Sequence, residues 1–339
     1  MKRSGMINRI KSLFVITASS LCCMLFLAAC GEERIILTTG FEEGELFWLE
    51  GISCYKREYL VYLTNMQNQY ELAFGEEIWQ TQTGEGSLKD CVKRTALARL
   101  AKIKMMNLMA TEKGITATKN EELLADKAAQ NYFSSLSEEE IEAFDGITQE
   151  DIRDMYLDYA IAEDVYNSLT SDVRESEISD DAARTIVVEY IRSDSRSKAE
   201  AMLDQINEGT GFDELMMAEN NGYEAIDTFC RGERDESVES VCFDLGENEV
   251  SDVVAASDGN YYIFRCINTK DRIETDKRRR ELLQEKKDVK FNDAYDTFRQ
   301  GKRCYLNQEL LDSIDFVGGG EVDTSDFFDV YETTFLVSQ

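Results

Sequence analysis

Between Ile178 and Lys270 the chain carries two strand-like runs inside an otherwise helical pattern, and this block sets what the rest can fold into. It opens on a β-branched run, Thr185-Ile-Val-Val-Glu-Tyr-Ile191, passes through two short helical patterns, and closes on Tyr261-Tyr-Ile-Phe-Arg-Cys-Ile267. β-Branched and aromatic runs of this length suit a pleated strand. Ser197 with Glu200 predicts a cap for a helix running to Gly209, Phe212 to Ala218 a second helix, and Ala225 to Phe229 a middle strand. The block therefore reads as a small α+β domain inserted into a helical one.

The flanks supply the helical part. Tyr55, Tyr59, Tyr62, Met66, Tyr70 and Phe74 recur at three or four residues, which predicts one buried helix face starting near Ser53 and ending at Gly75. Ser87 with Asp90, Thr118 with Glu121, and Thr148 with Asp151 each place a hydroxyl and an acid three residues apart, the pattern that caps a helix start. Gly114 is placed to end the helix opened at Ser87. The expected order is residues 52–175 as the N-terminal part of a helical domain, 178–270 as the insert, and 271–316 as a C-terminal helix completing the helical domain. In that helix the basic cluster Asp276-Lys-Arg-Arg-Arg-Glu281 reads as a solvated face paired with nearby acids. Residues 30–51 are expected to be an acidic tether with an apolar patch at Leu46-Phe-Trp-Leu49. After Gly318-Gly319-Gly320, residues 317–339 are expected to be a flexible tail whose aromatic residues dock on the body if they order.

What the chain lacks removes much chemistry. It has no histidine, which excludes Ser-His-Asp and Cys-His nucleophile systems and every His-containing metal site. It has no proline either, where average usage of about 5% gives roughly 17, so its helices have no built-in breakers. No P-loop, no complete dinucleotide glycine motif and no metal-ligand spacing occurs, so neither a cofactor nor a metal is expected. The net charge of -30 repels nucleic acid and anionic headgroups and favours solubility and cationic partners.

At the N-terminus Lys2, Arg3, Arg9 and Lys11 precede a nearly unbroken apolar run from Leu13 to Ala29, the build of an export signal over residues 1–29. Its ending, Leu27-Ala28-Ala29-Cys30-Gly31, resembles the lipobox of bacterial lipoproteins. That resemblance implies cleavage before Cys30, lipidation of its sulfur and acylation of the new amine. About two to three acyl chains would hold the protein to a membrane. The alternative is an uncleaved transmembrane helix, since the run is nearly long enough to span. Beyond Cys30, six thiols remain at Cys54, Cys91, Cys230, Cys242, Cys266 and Cys304. Their even number allows disulfides in an exported protein, while their places in apolar periodic segments favour buried free thiols.

The central block resembles a parvulin-type peptidyl-prolyl isomerase domain, and the whole chain resembles the PrsA/SurA group of extracytoplasmic foldases. Gly232-Glu-Arg-Asp-Glu-Ser-Val-Glu-Ser-Val-Cys-Phe243 sits without gaps on the family pattern Gly-x-Met-x-x-x-Phe-Glu-x-Ala-x-Phe. Leu245-Gly-Glu-Asn-Glu-Val-Ser251 matches Leu-x-x-Gly-Glu-x-Ser with a displaced glycine, and Asp258-Gly-Asn-Tyr-Tyr-Ile-Phe-Arg265 matches the family's Gly-Tyr-His-Ile-Ile-Lys close. The resemblance implies a split SurA/trigger-factor-like helical chaperone domain, expected to be all-helical, around a parvulin (FKBP-like) α+β insert.

It also implies a site. Thr185 and Tyr262 stand at the positions of the two family histidines, Arg234 replaces the pocket methionine, and Val238 replaces a pocket phenylalanine. Phe243 is retained, and Phe229 keeps the aromatic after the middle strand. Thr185 and Tyr262 are thus the candidate catalytic residues, and since both carry hydroxyls a hydrogen-bonded pair beneath the pocket can survive. Phe243, Val238, Arg234 and Phe229 are the candidate substrate-binding residues, with the Arg234 guanidinium needing either an acidic partner or exposure.

The implied function is a lipid-anchored extracytoplasmic chaperone for unfolded exported polypeptides, with weak or no isomerase activity in the insert. An active isomerase is the alternative. A solute-binding or scaffold lipoprotein fits less well, since solute binders alternate strands and helices across two lobes whereas this chain groups its helices at the ends.

Overall fold

The computed structural model describes residues 40–220 and 222–335; the export sequence and Cys30 lie outside the described residues. The chain divides into two compact units, Met1–Leu169 with Asp293–Gln339, and Thr170–Asn292. In order, the elements are β1 (Glu45–Leu49), β2 (Ile52–Tyr55), α1 (Lys56–Phe74), β3 (Gln82–Thr83), β4 (Gly86–Ser87), α2 (Leu88–Lys113), α3 (Lys119–Ser135), α4 (Glu138–Ala143) and α5 (Gln149–Thr170). There follow α6 (Asp180–Ala183), β5 (Thr185–Ser193), α7 (Arg196–Asn207), α8 (Phe212–Glu219), β6 (Ile226–Cys230), α9 (Glu236–Cys242), β7 (Val254–Ala255) and β8 (Tyr261–Asn268). The last are α10 (Arg272–Arg299), β9 (Cys304–Leu306), α11 (Gln308–Ser313) and α12 (Phe327–Phe335). The class is α+β, with the helical unit interrupted in sequence by the unit that carries the larger sheet.

The helical unit is held by the ends and faces that its sequence specifies. Thr118 and Glu121 cap α3 reciprocally: the Thr118 hydroxyl accepts the Glu121 N–H, and the Glu121 carboxylate accepts the Thr118 N–H. Thr148 and Asp151 do the same before α5, and Ser87 caps α2. Gly114 ends α2 in the left-handed region at φ 69°, which a residue without a Cβ adopts at no steric cost. The tyrosine face of α1 packs inward with Ala96 and Leu100 of α2, Ala128 of α3 and Ile152 of α5.

Three expectations for this unit need correction. The proposed tether to residue 51 contains β1, whose Leu46, Phe47 and Leu49 are core residues. The unit is therefore not all-helical: β2, β1 and β9 form an antiparallel sheet. The signal is the two-residue turn Glu50-Gly51, both at positive φ (45° and 98°), a conformation that matches the twist of a tight hairpin and displaces the start of α1 to Lys56. The tail is not loose over its described part. Phe327, Phe328, Tyr331 and Phe335 of α12 are buried in the same core as Tyr62 and Tyr156, because burying four rings outweighs the entropy of ordering one short helix.

In the second unit β5 is central, with antiparallel order β6-β5-β8-β7. Alternation sends Ile186 and Val188 to one face, against Phe229, Phe264 and α9. It sends Ile191 to the other, against Ala199, Met202, Phe212 and Met216 of α7 and α8. Both faces are covered, which is why the run reads as nearly continuous apolar sequence. The expected Ser197 cap is not made: α7 starts at Arg196, and the Ser193 hydroxyl instead accepts the Ser195 N–H and donates to the Ser195 carbonyl. The basic start of α10 is paired as expected, with Lys277 on Glu274, Arg278 on Glu281 and Glu285, and Arg279 on Asp180. Cys54, Cys91, Cys230, Cys242 and Cys266 are buried, Cys304 is exposed, and no disulfide links the cysteines among the described residues.

Candidate functional site

The candidate binding residues meet on the face of the sheet that carries Ile186 and Val188. Helix α9 is anchored there by Asp235, whose carboxylate accepts the Val238 N–H and the N–H and hydroxyl of Ser257. The Ser237 hydroxyl, followed by these Ser257 and Val238 donors, holds that carboxyl below its ordinary range. Anchoring α9 presses Val238 and Phe243 onto Phe229, which meets Phe243 edge-on at 5.8 Å. All three side chains are buried, so they close the core beneath this face instead of standing open to a ligand.

Arg234 satisfies its condition by pairing. Its Nε donates to Asp227 Oδ2 at 2.8 Å and its Nη2 to Oδ1 at 2.6 Å, and its guanidinium lies 5.2 Å from the centre of the Phe229 ring. A cation in that position is attracted by the ring face as well as by the carboxylate. Two further arginines, which the sequence reading did not single out, treat Phe243 in the same way. Arg231 lies 4.3 Å and Arg184 4.9 Å from its ring centre; both pair with Asp181, and Arg184 also donates to the Phe243 carbonyl. In a strongly acidic chain the aromatic residues of this region are thus covered by three guanidiniums. The signal was missed because Arg231 finds Asp181 50 residues away, and Arg184, three residues from Asp181, meets Phe243 59 residues on.

Tyr262 sits on the same face. Its ring stacks on Phe264 at 5.5 Å and meets Tyr190 at 5.7 Å. Its hydroxyl donates to Asp258 Oδ2 at 2.7 Å, and its pKa is pushed up to about 12 by burial and by that carboxylate. Tyr190 was findable, since it continues the Ile186, Val188 alternation.

Thr185 is not part of this arrangement. It lies opposite Cys230, whereas Tyr262 lies opposite Arg192, seven positions further along β5. At ~3.3 Å per residue that is about 23 Å, and by alternation Thr185 faces the other side of the sheet. The hydroxyl pair beneath the pocket therefore does not survive: antiparallel pairing puts the start of β8 at the end of β5. Thr185 instead pins the start of α10. Its N–H donates to Thr275 Oγ1, its carbonyl accepts from the Asp271 N–H, and its hydroxyl donates to the Ala183 carbonyl at 3.4 Å. Among the described residues no cluster of three or more Cys, Asp or Glu is placed to hold a metal ion, and no helix is long and apolar enough to cross a membrane.

No family model and no curated protein matches the chain. Among solved structures it is similar to a peptidylprolyl isomerase, PrsA, from Bacillus cereus, at 17% identity and TM-score 0.35, covering 74% of this chain and 97% of that one. It is similar to a foldase protein, PrsA, from Lactococcus lactis, at 12% identity and TM-score 0.35, covering 85% and 98%. A SurA-like chaperone from Campylobacter jejuni is similar at 11% identity and TM-score 0.28, covering 78% and 98%.

Proposed function

We propose that this chain is an extracytoplasmic chaperone for exported polypeptides, held to the outer face of the cell membrane through Cys30, in which the inserted unit holds peptide segments with weak or no isomerase activity. The observation that carries the reading of the insert is the separation of Thr185 from Tyr262. Rotation about an X-Pro bond faces a barrier near ~20 kcal/mol. It is accelerated only by contacts stronger in the twisted amide than in the planar one. A lone tyrosine hydroxyl already donated to Asp258, on a face closed by Phe229, Val238 and Phe243, supplies little of that kind. The half-buried rings of Tyr190 and Tyr262, packed over the buried Phe264, remain a surface that an apolar peptide segment can lie on.

Support for the chaperone reading comes from the export sequence, the lipobox-like ending at Cys30, and a helical unit formed by both ends of the chain around the insert. The partners are unfolded or partly folded exported chains; nucleic acid is repelled by the -30 charge. The test is aggregation of a chemically unfolded client in the presence of the chain from Cys30 onward. Suppression is expected at near-stoichiometric amounts, and its absence at every ratio overturns the reading. In a coupled proline-turnover assay the same chain should match the rate in solvent. A clear acceleration abolished by Phe243→Ala would establish the active isomerase instead.

A further inference from the structure

The last described segment crosses α1 in a way that packing alone does not require. Gly318 is held at both of its backbone groups by one side chain: Gln67 Oε1 accepts its N–H at 2.9 Å and Gln67 Nε2 donates to its carbonyl at 3.0 Å. Asn68 accepts the Gly319 N–H and donates to the carbonyls of Val322 and Thr324. Gln69 donates to the Ser325 carbonyl, and Asn65 accepts the Phe327 N–H. Four amide side chains along one helix thus read the backbone of a segment that has one β-bridge of its own, Gly319 with Val322, and belongs to no larger sheet. Past this track the Phe327 ring enters a cage of tyrosines, stacked on Tyr156 at 4.5 Å and set against Tyr132 and Tyr62 at 5.3 and 5.7 Å.

Asn65, Gln67 and Asn68 are buried. Buried amides of both polarities beside an aromatic cage need a partner that alternates N–H and C=O groups and carries a large ring, and an extended polypeptide is that partner. We propose that this face of α1, with its tyrosine cage, is the polypeptide-binding site of the helical unit, occupied in cis by residues 318–335 until an extended client segment bearing an aromatic anchor displaces them. The inference rests on the chaperone reading and adds to it a site and a means of holding that site closed. It also explains the glycine. A Cβ at Gly318 would lie 2.3 Å from Asn68 Oδ1 and 2.8 Å from Gln67 Oε1, so the cis segment is fitted to the pinch between those two amides.

The test uses the chain from Cys30 onward, unmodified and as Gly318→Val, with a fluorescein-labelled synthetic peptide of residues 316–335 and reduced, carboxymethylated lactalbumin as probes. The valine collides with the amide pinch and should free the track, so the apparent Kd for the peptide falls at least tenfold and less chaperone is needed to protect the client. A folded Gly318→Val chain whose Kd for the peptide stays within twofold overturns the inference. Hydrogen exchange on the unmodified chain decides it even if that variant fails to fold. Client addition should speed exchange of the Gly318, Gly319 and Phe327 amides at least tenfold. Client binding with no change at those amides sinks the inference and leaves the chaperone reading standing. Client binding to neither chain overturns both.

Discussion

Asp227 and Arg234 tie β6 to the turn before α9 through two parallel hydrogen bonds, and the paired guanidinium covers the Phe229 ring. The Arg234 side chain is 39% exposed and that of Asp227 26%, so solvent still reaches and screens the pair. Exposed pairs contribute up to about 1 kcal/mol, and Arg234→Met should shift the urea-unfolding free energy by no more than that. The variant uncovers Phe229 without moving Thr185 toward Tyr262. Proline turnover should therefore stay at the solvent rate, and a gain on this single change would show that the guanidinium alone had blocked catalysis.

Thr185 and Thr275 give a sharper contrast. The Thr275 side chain is fully buried and its hydroxyl is the acceptor for the Thr185 N–H. Thr275→Val leaves that N–H buried without a partner, a loss of about 1–3 kcal/mol. Thr185→Val gives up only a long bond to the Ala183 carbonyl and should cost less than about 1 kcal/mol. Urea midpoints of the two variants check the ranking. The reverse order would mean that the Thr185 hydroxyl has a role its contacts do not show.

These two pairs also mark what could be read from the residues and what could not. The β-branched run at Thr185, the capping residues Thr118 and Glu121, and Gly114 are local signals, each acting within a few residues, and each became the element it indicates. The Thr185–Tyr262 pairing failed because it depends on strand direction and register, which a motif match does not carry. The docking of Phe327 was left conditional, and β9 was missed, for a related reason. Their partners, Tyr156 and Phe47, lie far away in sequence, and a short apolar segment after three glycines looks the same whether or not a cage awaits it.

If Cys30 carries the lipid, a Cys30→Ala chain expressed in a lipoprotein-processing bacterium should move from the detergent phase to the aqueous phase on phase separation, since about two to three acyl chains supply the anchoring. Mass spectrometry of the unmodified chain should find a mature form starting at Cys30. A Cys30→Ala chain that stays in the detergent phase with residues 1–29 intact would instead be held by the apolar run from Leu13 to Ala29.

Deep in the helical unit Lys104 Nζ lies 2.6 Å from Glu58 Oε2 and 2.8 Å from Asp158 Oδ2, one cation between two acids. Burial pulls the ammonium pKa down, but Glu58 and then Asp158 outweigh it, so Lys104 is held protonated. Burial raises the Asp158 carboxyl above its ordinary range, and Lys104 offsets only part of that rise. Lys104→Met strands two buried acids without their cation and should cost about 3–5 kcal/mol at pH 7. Asp158→Asn keeps an oxygen facing Lys104 and removes the surplus negative charge. In the unmodified chain the folded state holds the Asp158 proton more tightly than the unfolded state, so this group's contribution to stability falls as pH rises from about 4 through the raised folded value. Asp158→Asn lacks that fall, and its stability relative to the unmodified chain should improve between pH 4 and pH 7. Urea unfolding at the two pH values measures the difference. An Asp158→Asn chain as unstable at pH 7 as Lys104→Met would show that both carboxylates are needed to hold the lysine.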